Sequence, residues 1–142
     1  MTVILDDHLL RDWLADEVND DLAGILADHE PATTNLYYLR LCKSAVSARG
    51  GSVVGSWPVE QRAELGRTLL SLPETVTIVP IRTLAYRMAE VADSFRVSTL
   101  GAEAVAAAEH LDASLCVWDG DDGPGIRDAF TSLGAPYRTI SR

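Results

Sequence analysis

Thr2-Val3-Ile4-Leu5-Asp6-Asp7-His8-Leu9-Leu10 decides how the rest of the chain is read. An apolar run stops abruptly at two aspartates, and Leu9, Leu10, Trp13 and Leu14 begin a helical pattern at once. A second run of the same kind, Ser114-Leu115-Cys116-Val117-Trp118, also ends in an aspartate, Asp119. In open parallel sheets, ligands bind in the crevice beyond the carboxyl ends of the strands. Two strands ending there in carboxylates point to a cation or phosphate site.

Working outward, strand one covers residues 2–6, helix one runs to 17, and a second helix over 21–28 carries Leu22, Ile25 and Leu26 until Pro31 stops it. Thr33 or Thr34 can cap a third helix with Leu36, Leu39 and Val46 on one side, closing at Gly50-Gly51. Ser56-Trp57-Pro58 opens a fourth, whose buried stripe is Leu65, Leu69 and Leu72. The β-branched run Thr75–Val79 reads as a strand, and Leu84, Met88 and Val91 as a helix face. Ser98 caps an alanine-rich helix that can approach a sheet closely. Strand 114–118 is followed by a Gly/Asp loop over 119–125, a short helix ending at Gly134, and a last strand over 136–140. Strands alternating with helices imply a parallel sheet of about four strands covered on both faces. The expectation is one α/β domain spanning residues 1–142.

The length of 142 residues suits one domain with a sizeable core. The formal charge of −9 argues against non-specific binding to long nucleic acid, but leaves room for a small site whose metal ions and few arginines hold phosphates. Much of that excess sits in Asp16, Glu17, Asp20 and Asp21, read as a solvated helix end. Neither an apolar run long enough to span a membrane nor a secretory leader is visible. Cys42 and Cys116 lie in apolar stretches without paired spacing and read as buried free thiols in a reducing cytoplasm.

Asp6-Asp7-His8 after a strand resembles the opening of bacterial receiver domains. That family needs an aspartate near Ser52–Ser56 and a late lysine followed by proline, whereas the only lysine here is Lys43. The whole chain is more similar to a PIN domain, the fold of metal-dependent ribonucleases that includes many toxins of bacterial toxin–antitoxin pairs. The resemblance is carried by Ile4-Leu5-Asp6 with Leu9-Leu10, by Thr75–Pro80 leading into a helix, by Ser98-Thr99-Leu100-Gly101-Ala102-Glu103-Ala104, and by Leu115-Cys116-Val117-Trp118-Asp119 with a final short strand.

That family clusters carboxylates because magnesium binds through one or two carboxylates, waters and phosphate oxygens. Asp6 matches its first acid and Asp119 its last. The third acid's position falls on Gly101, with Glu103 two residues away as a replacement ligand or base. Where the second acid belongs, Thr33–Cys42 holds no carboxylate, and Tyr38 or Arg40 falls near its place. The resemblance thus implies a reduced acidic site in which Asp6, Glu103 and Asp119 hold Mg2+ or Mn2+ and Arg40 contacts phosphate or pairs with the remaining acids. Asp7 and Asp121 are secondary candidates.

On residue type alone, Asp7 reads as a helix N-cap, Glu103 as a solvated helix residue, and Asp121 and Asp122 as turn residues. His8, His29 and His110 show no metal-ligand spacing, and Tyr37, Tyr38 and Trp57 read as packing residues. The function implied is a magnesium- or manganese-dependent endoribonuclease acting on single-stranded RNA in the cytoplasm, with an antitoxin-like protein and a second copy of the chain as partners. The alternatives are a PIN-like binding or assembly module without catalysis and, further off, a receiver-like signalling domain.

Overall fold

β1 (Thr2–Leu5) is the middle of the sheet, and its sequence shows why. Val3, Ile4 and Leu5 are all fully buried, as a strand covered on both faces requires. Side chains alternate across a strand. Ile4 accordingly joins one core with Leu115, Val117 and the alanines, while Val3 and Leu5 join a second with Leu9, Leu41 and Cys116. The structure, a computed structural model, describes residues 1–47, 54, 57–72 and 74–141.

From β1 the chain runs through α1 (Asp7–Leu14), α2 (Asp20–Asp28), β2 (Glu30–Thr33), α3 (Asn35–Val46), α4 (Val59–Leu70) and β3 (Thr77–Ile78). It continues through α5 (Ile81–Ser94), α6 (Thr99–Leu111), β4 (Ser114–Trp118), a 3-10 turn (Asp119–Asp121), α7 (Pro124–Leu133) and β5 (Tyr137–Ile140). Among the described residues the sheet has five strands in the order β3-β2-β1-β4-β5, all parallel. The chain builds outward from β1 to β3 and then crosses back to lay β4 on the other side. The reversal between β1 and β4 opens a crevice at their carboxyl ends, where ligands of such sheets bind.

The fifth strand is β2, absent from the sequence reading because Pro31 looked like a helix stop. β3 reaches only Ala32 and Thr33, so Pro31 has a strand neighbour on the β1 side alone and its missing N–H is tolerated. Helix α1 ends at Leu14 instead of 17. Asp16 adopts a left-handed φ of 58°, and the Glu17 amide turns back to the Asp12 carbonyl at 2.8 Å. In α3 the buried side is Tyr37, Leu41 and Ser44, with Leu39 and Val46 exposed. The buried stripe reaches both cores, Tyr37 the one with α5 and α6 and Leu41 the one with α1 and α4, and it won over the one expected. β3 spans two residues of the expected five, flanked by buried Val76 and Val79. The Gly50-Gly51 stop and Ser56 lie outside the described residues.

Other elements form as expected. Thr34 caps α3 by accepting from the Tyr37 amide, and Ser98 caps α6 by accepting from Gly101. Residues Gly101 to Ala108 of α6 are all buried, so this small-residue helix lies in the interior. Leu65 and Leu69 of α4 and Leu84, Met88 and Val91 of α5 face the core. Cys42 and Cys116 are free thiols, but only Cys116 is buried as expected; Cys42 is half-buried. No helix among the described residues is long and apolar enough to cross a membrane.

Candidate functional site

Because β1 and β4 are neighbours, with Leu5 opposite Cys116, Asp6 emerges beside the end of β4. Its carboxylate joins three elements. Oδ1 accepts from the Leu9 amide at 2.9 Å, capping α1, and Oδ2 accepts from the Trp118 amide at 2.9 Å. The cap expected of Asp7 thus belongs to Asp6, because Asp6 still has extended backbone and Asp7 already lies in the helix.

Asp7 is fully buried in the first turn of α1. Its Oδ2 lies 3.2 Å from Nε of Arg40, which reaches over from α3. His8 follows, 4% exposed, its ring against that of Trp118 with centroids 4.5 Å apart. His8 Nδ1 stands 3.0 Å from Asp121 Oδ2 and 3.3 Å from Asp7 Oδ1. Neither approach is directed as a hydrogen bond, nor is that of Arg40, so His8 Nδ1 and Asp7 Oδ2 remain buried without a hydrogen-bond partner. Asp6, Asp7, His8 and Asp121 each bring one potential ligand atom into a group whose members all lie within 4.8 Å of one another.

The electrostatics follow from crowding acids in a buried place. Burial pushes the Asp6 carboxyl up to about 7, with Asp7 adding to the rise and the Leu9 and Trp118 amides opposing it. Burial disfavours the charged form of His8, but Asp121 and Asp7 outweigh it and raise the imidazole to about 9. The same His8 holds Asp121 below the usual carboxylate range, against its own burial and with help from Arg40. Without a metal, the acids are therefore balanced by a protonated His8 and by Arg40. A cation that takes His8 as a ligand displaces its proton.

Of the acids implied by the family resemblance, Asp6 stands in this group together with the secondary candidates Asp7 and Asp121. Asp119 opens the 3-10 turn and accepts from the Ser141 hydroxyl at 2.8 Å; the turn carries Asp121, two residues on, to the cluster. Glu103 is no solvated residue: it is fully buried and accepts from the Asn35 amide (2.9 Å), the Asn35 side chain (2.6 Å) and the Leu36 amide (2.8 Å). It thereby holds the N-terminus of α3, the helix that delivers Arg40. At Gly101 a Cβ would meet Val97 at 3.2 Å and Ile126 at 3.6 Å, so apolar packing fills the place of the family's third acid. Tyr37 is buried, and Trp57 lies under the Arg11 guanidinium, both as packing.

Sequence reasoning missed His8. A search for ligands at fixed linear spacing fails because its partner Asp121 comes from the far end of the chain. The available signal was its position directly after two strand-end aspartates. Beside the cluster opens a cleft of about 350 Å³ whose wall includes Arg40, Arg96, Ser98, Asp121 and Gly123. Two cations and an acid are thus among the residues that line it.

No protein-family model matches the sequence, and no curated protein matches it. The fold is similar to that of a chain in a solved toxin–antitoxin complex from Klebsiella pneumoniae. The two share 16% identity over 88% of this chain and 92% of that one, with a TM-score of 0.57. At that identity, what the two chains share is the fold.

Proposed function

We propose that the chain is a PIN-like module of the toxin–antitoxin type, acting in the cytoplasm as an endoribonuclease on single-stranded RNA with Mg2+ or Mn2+. The observation that carries this reading is the group of Asp6, Asp7, His8 and Asp121 at the carboxyl ends of β1 and β4, with two of its buried polar atoms lacking directed partners. Buried polar atoms are nearly always satisfied, and an ion is one of the few explanations for an exception. Three carboxylates and one imidazole suit a divalent cation. Asp6, Asp7, His8 and Asp121 would hold it. When bound, it would supply an activated water and stabilise the charge of phosphodiester displacement.

The chain's own residues then divide the remaining work. Arg40, 41% exposed and shared between Asp7 and the cleft, is placed to take a phosphate in its guanidinium fork. Arg96 across the cleft favours the same polyanion. Glu103 positions α3 and hence Arg40, and Asp119 holds the turn that presents Asp121. The similarity to a chain from a toxin–antitoxin complex supports an antitoxin-like protein as partner.

A second reading is favoured by one contact. The Arg40–Asp7 pair sets a fixed positive charge against the acids, as a binding module without metal would. A fluorescent RNA panel with manganese and with EDTA separates the two, using wild type, Asp6→Asn and Arg40→Glu. Manganese-dependent cleavage by wild type that Asp6→Asn abolishes supports the enzyme. Cleavage gained only in Arg40→Glu supports the binding module, and no cleavage with no metal binding refutes the nuclease reading.

A further inference from the structure

Among the four side chains of the strand-end cluster, His8 is the one that oxygen chemistry does not explain. Trp118 packs against its ring, with planes inclined at 38°, and almost no surface is left to water. The ring is therefore held in one orientation. A histidine that merely neutralised its neighbours would aim an N–H along the line to one carboxylate. Instead Nδ1 sits between Asp121 and Asp7, at 3.0 and 3.3 Å, without a directed bond to either. Asp7 Oδ2, on the adjacent residue, is in the same condition. Two buried atoms left this way, on residues of a group that brings four potential ligand atoms within 4.8 Å of one another, describe a coordination site in which the shared partner is a cation.

We propose that His8 is a metal ligand, alongside Asp6, Asp7 and Asp121, and that the site selects a divalent transition ion over magnesium. This rests on the cation reading above and deepens it. Magnesium takes oxygen ligands and parts reluctantly with its waters, whereas first-row transition ions accept imidazole readily. An all-oxygen set would leave the choice to ion size and abundance. One fixed nitrogen tilts it toward the transition metal, and the hydrophobic contact with Trp118 keeps that nitrogen from turning away.

The test uses the full chain, freed of any histidine tag, and manganese as the probe. Free manganese is followed by its EPR signal during titration, magnesium is added as competitor, and pulsed EPR of the bound ion reads nitrogen coupling. Histidine nitrogen coupling, altered by isotope-labelled histidine, is expected in wild type. His29 is engaged with the Ile25 carbonyl and His110 lies on α6, so neither belongs to the cluster. In His8→Asn the coupling disappears, and the preference for manganese over magnesium falls on the order of tenfold. Should that variant not fold, the labelled wild-type spectrum decides alone. Tight manganese binding without histidine coupling overturns the assignment of His8 and leaves the cation reading standing. No manganese binding overturns both.

Discussion

Glu103→Ala removes a fully buried carboxylate that accepts three hydrogen bonds at the start of α3. Hydrogen bonds to a charged group are worth about 1.5–3 kcal/mol each, but they share one acceptor and do not add. Truncation also leaves the Asn35 and Leu36 donors unsatisfied, at about 1–3 kcal/mol, and opens a hole in the packing, so the loss should total about 3–5 kcal/mol. At roughly 3–4 °C per kcal/mol for a chain of this length, Glu103→Ala should melt about 10–20 °C below wild type. Glu103→Gln keeps the shape but turns one amide N–H₂ toward the Asn35 and Leu36 donors. It should lose about 1.5–3 kcal/mol, roughly 5–12 °C. Thermal melts by circular dichroism in EDTA measure both. The same melts repeated in manganese separate structure from ligation. A residue that only holds α3 leaves the manganese-induced rise intact in Glu103→Gln, whereas a ligand abolishes it. Alanine melting within about 3 °C of wild type, less than 1 kcal/mol by the same conversion, would refute the argument.

Manganese at a hundredfold its dissociation constant should stabilise the folded chain by about 2.7 kcal/mol, seen as a melting rise of roughly 8–11 °C that Asp7→Asn removes. An equal rise in Asp7→Asn would place the ion elsewhere. Burial pushes the Cys116 thiol up to about 12, with Asp6 adding to it, so almost no thiolate exists at pH 8. Mass spectrometry after alkylation at that pH should find Cys116 unmodified in the folded chain and modified in denaturant; rapid folded-state labelling contradicts its burial. At Gly125 a Cβ would lie 2.2 Å from the Arg96 carbonyl oxygen, so Gly125→Ala must push α7 from the entry to α6. It is expected to lose about 1–3 kcal/mol in urea unfolding, and a neutral result would mean that this approach is looser than described.

The sheet was legible where strand and helix periods were clean. β1 and β4 carry continuous apolar runs ended by aspartates, and the α6 alanines announce a helix pressed into the interior. β2 was not legible, because a four-residue strand containing Pro31 carries less local signal than the helix stop it resembles. The stripe on α3 was misread because the helix offers apolar residues on two sides, and only the tertiary partners select Tyr37 and Leu41 over Leu39 and Val46. Within the site, Asp6 could be found from its strand. Asp121 and His8 could not be paired, since a 3-10 turn decides which of three nearby aspartates swings inward, and turns of that kind leave little trace in composition. The burial of Glu103 was hidden for the opposite reason: two of its three donors are backbone amides, which no side-chain pattern reveals.

The amide of Trp118 donates to Asp6 across nearly the whole length of the chain. Translation therefore delivers the two walls of the crevice at very different times. Asp6, Asp7 and His8 are made early and Arg40 soon after, but Glu103, which holds the helix bearing Arg40, comes only with α6, and Asp121 only after β4. A domain generally folds as a unit. A nascent chain stalled before β4 thus lacks both the Trp118 amide that holds Asp6 and the Asp121 donor. Whatever chemistry the finished crevice performs is withheld from the growing polypeptide until β4 and the turn after it have been made.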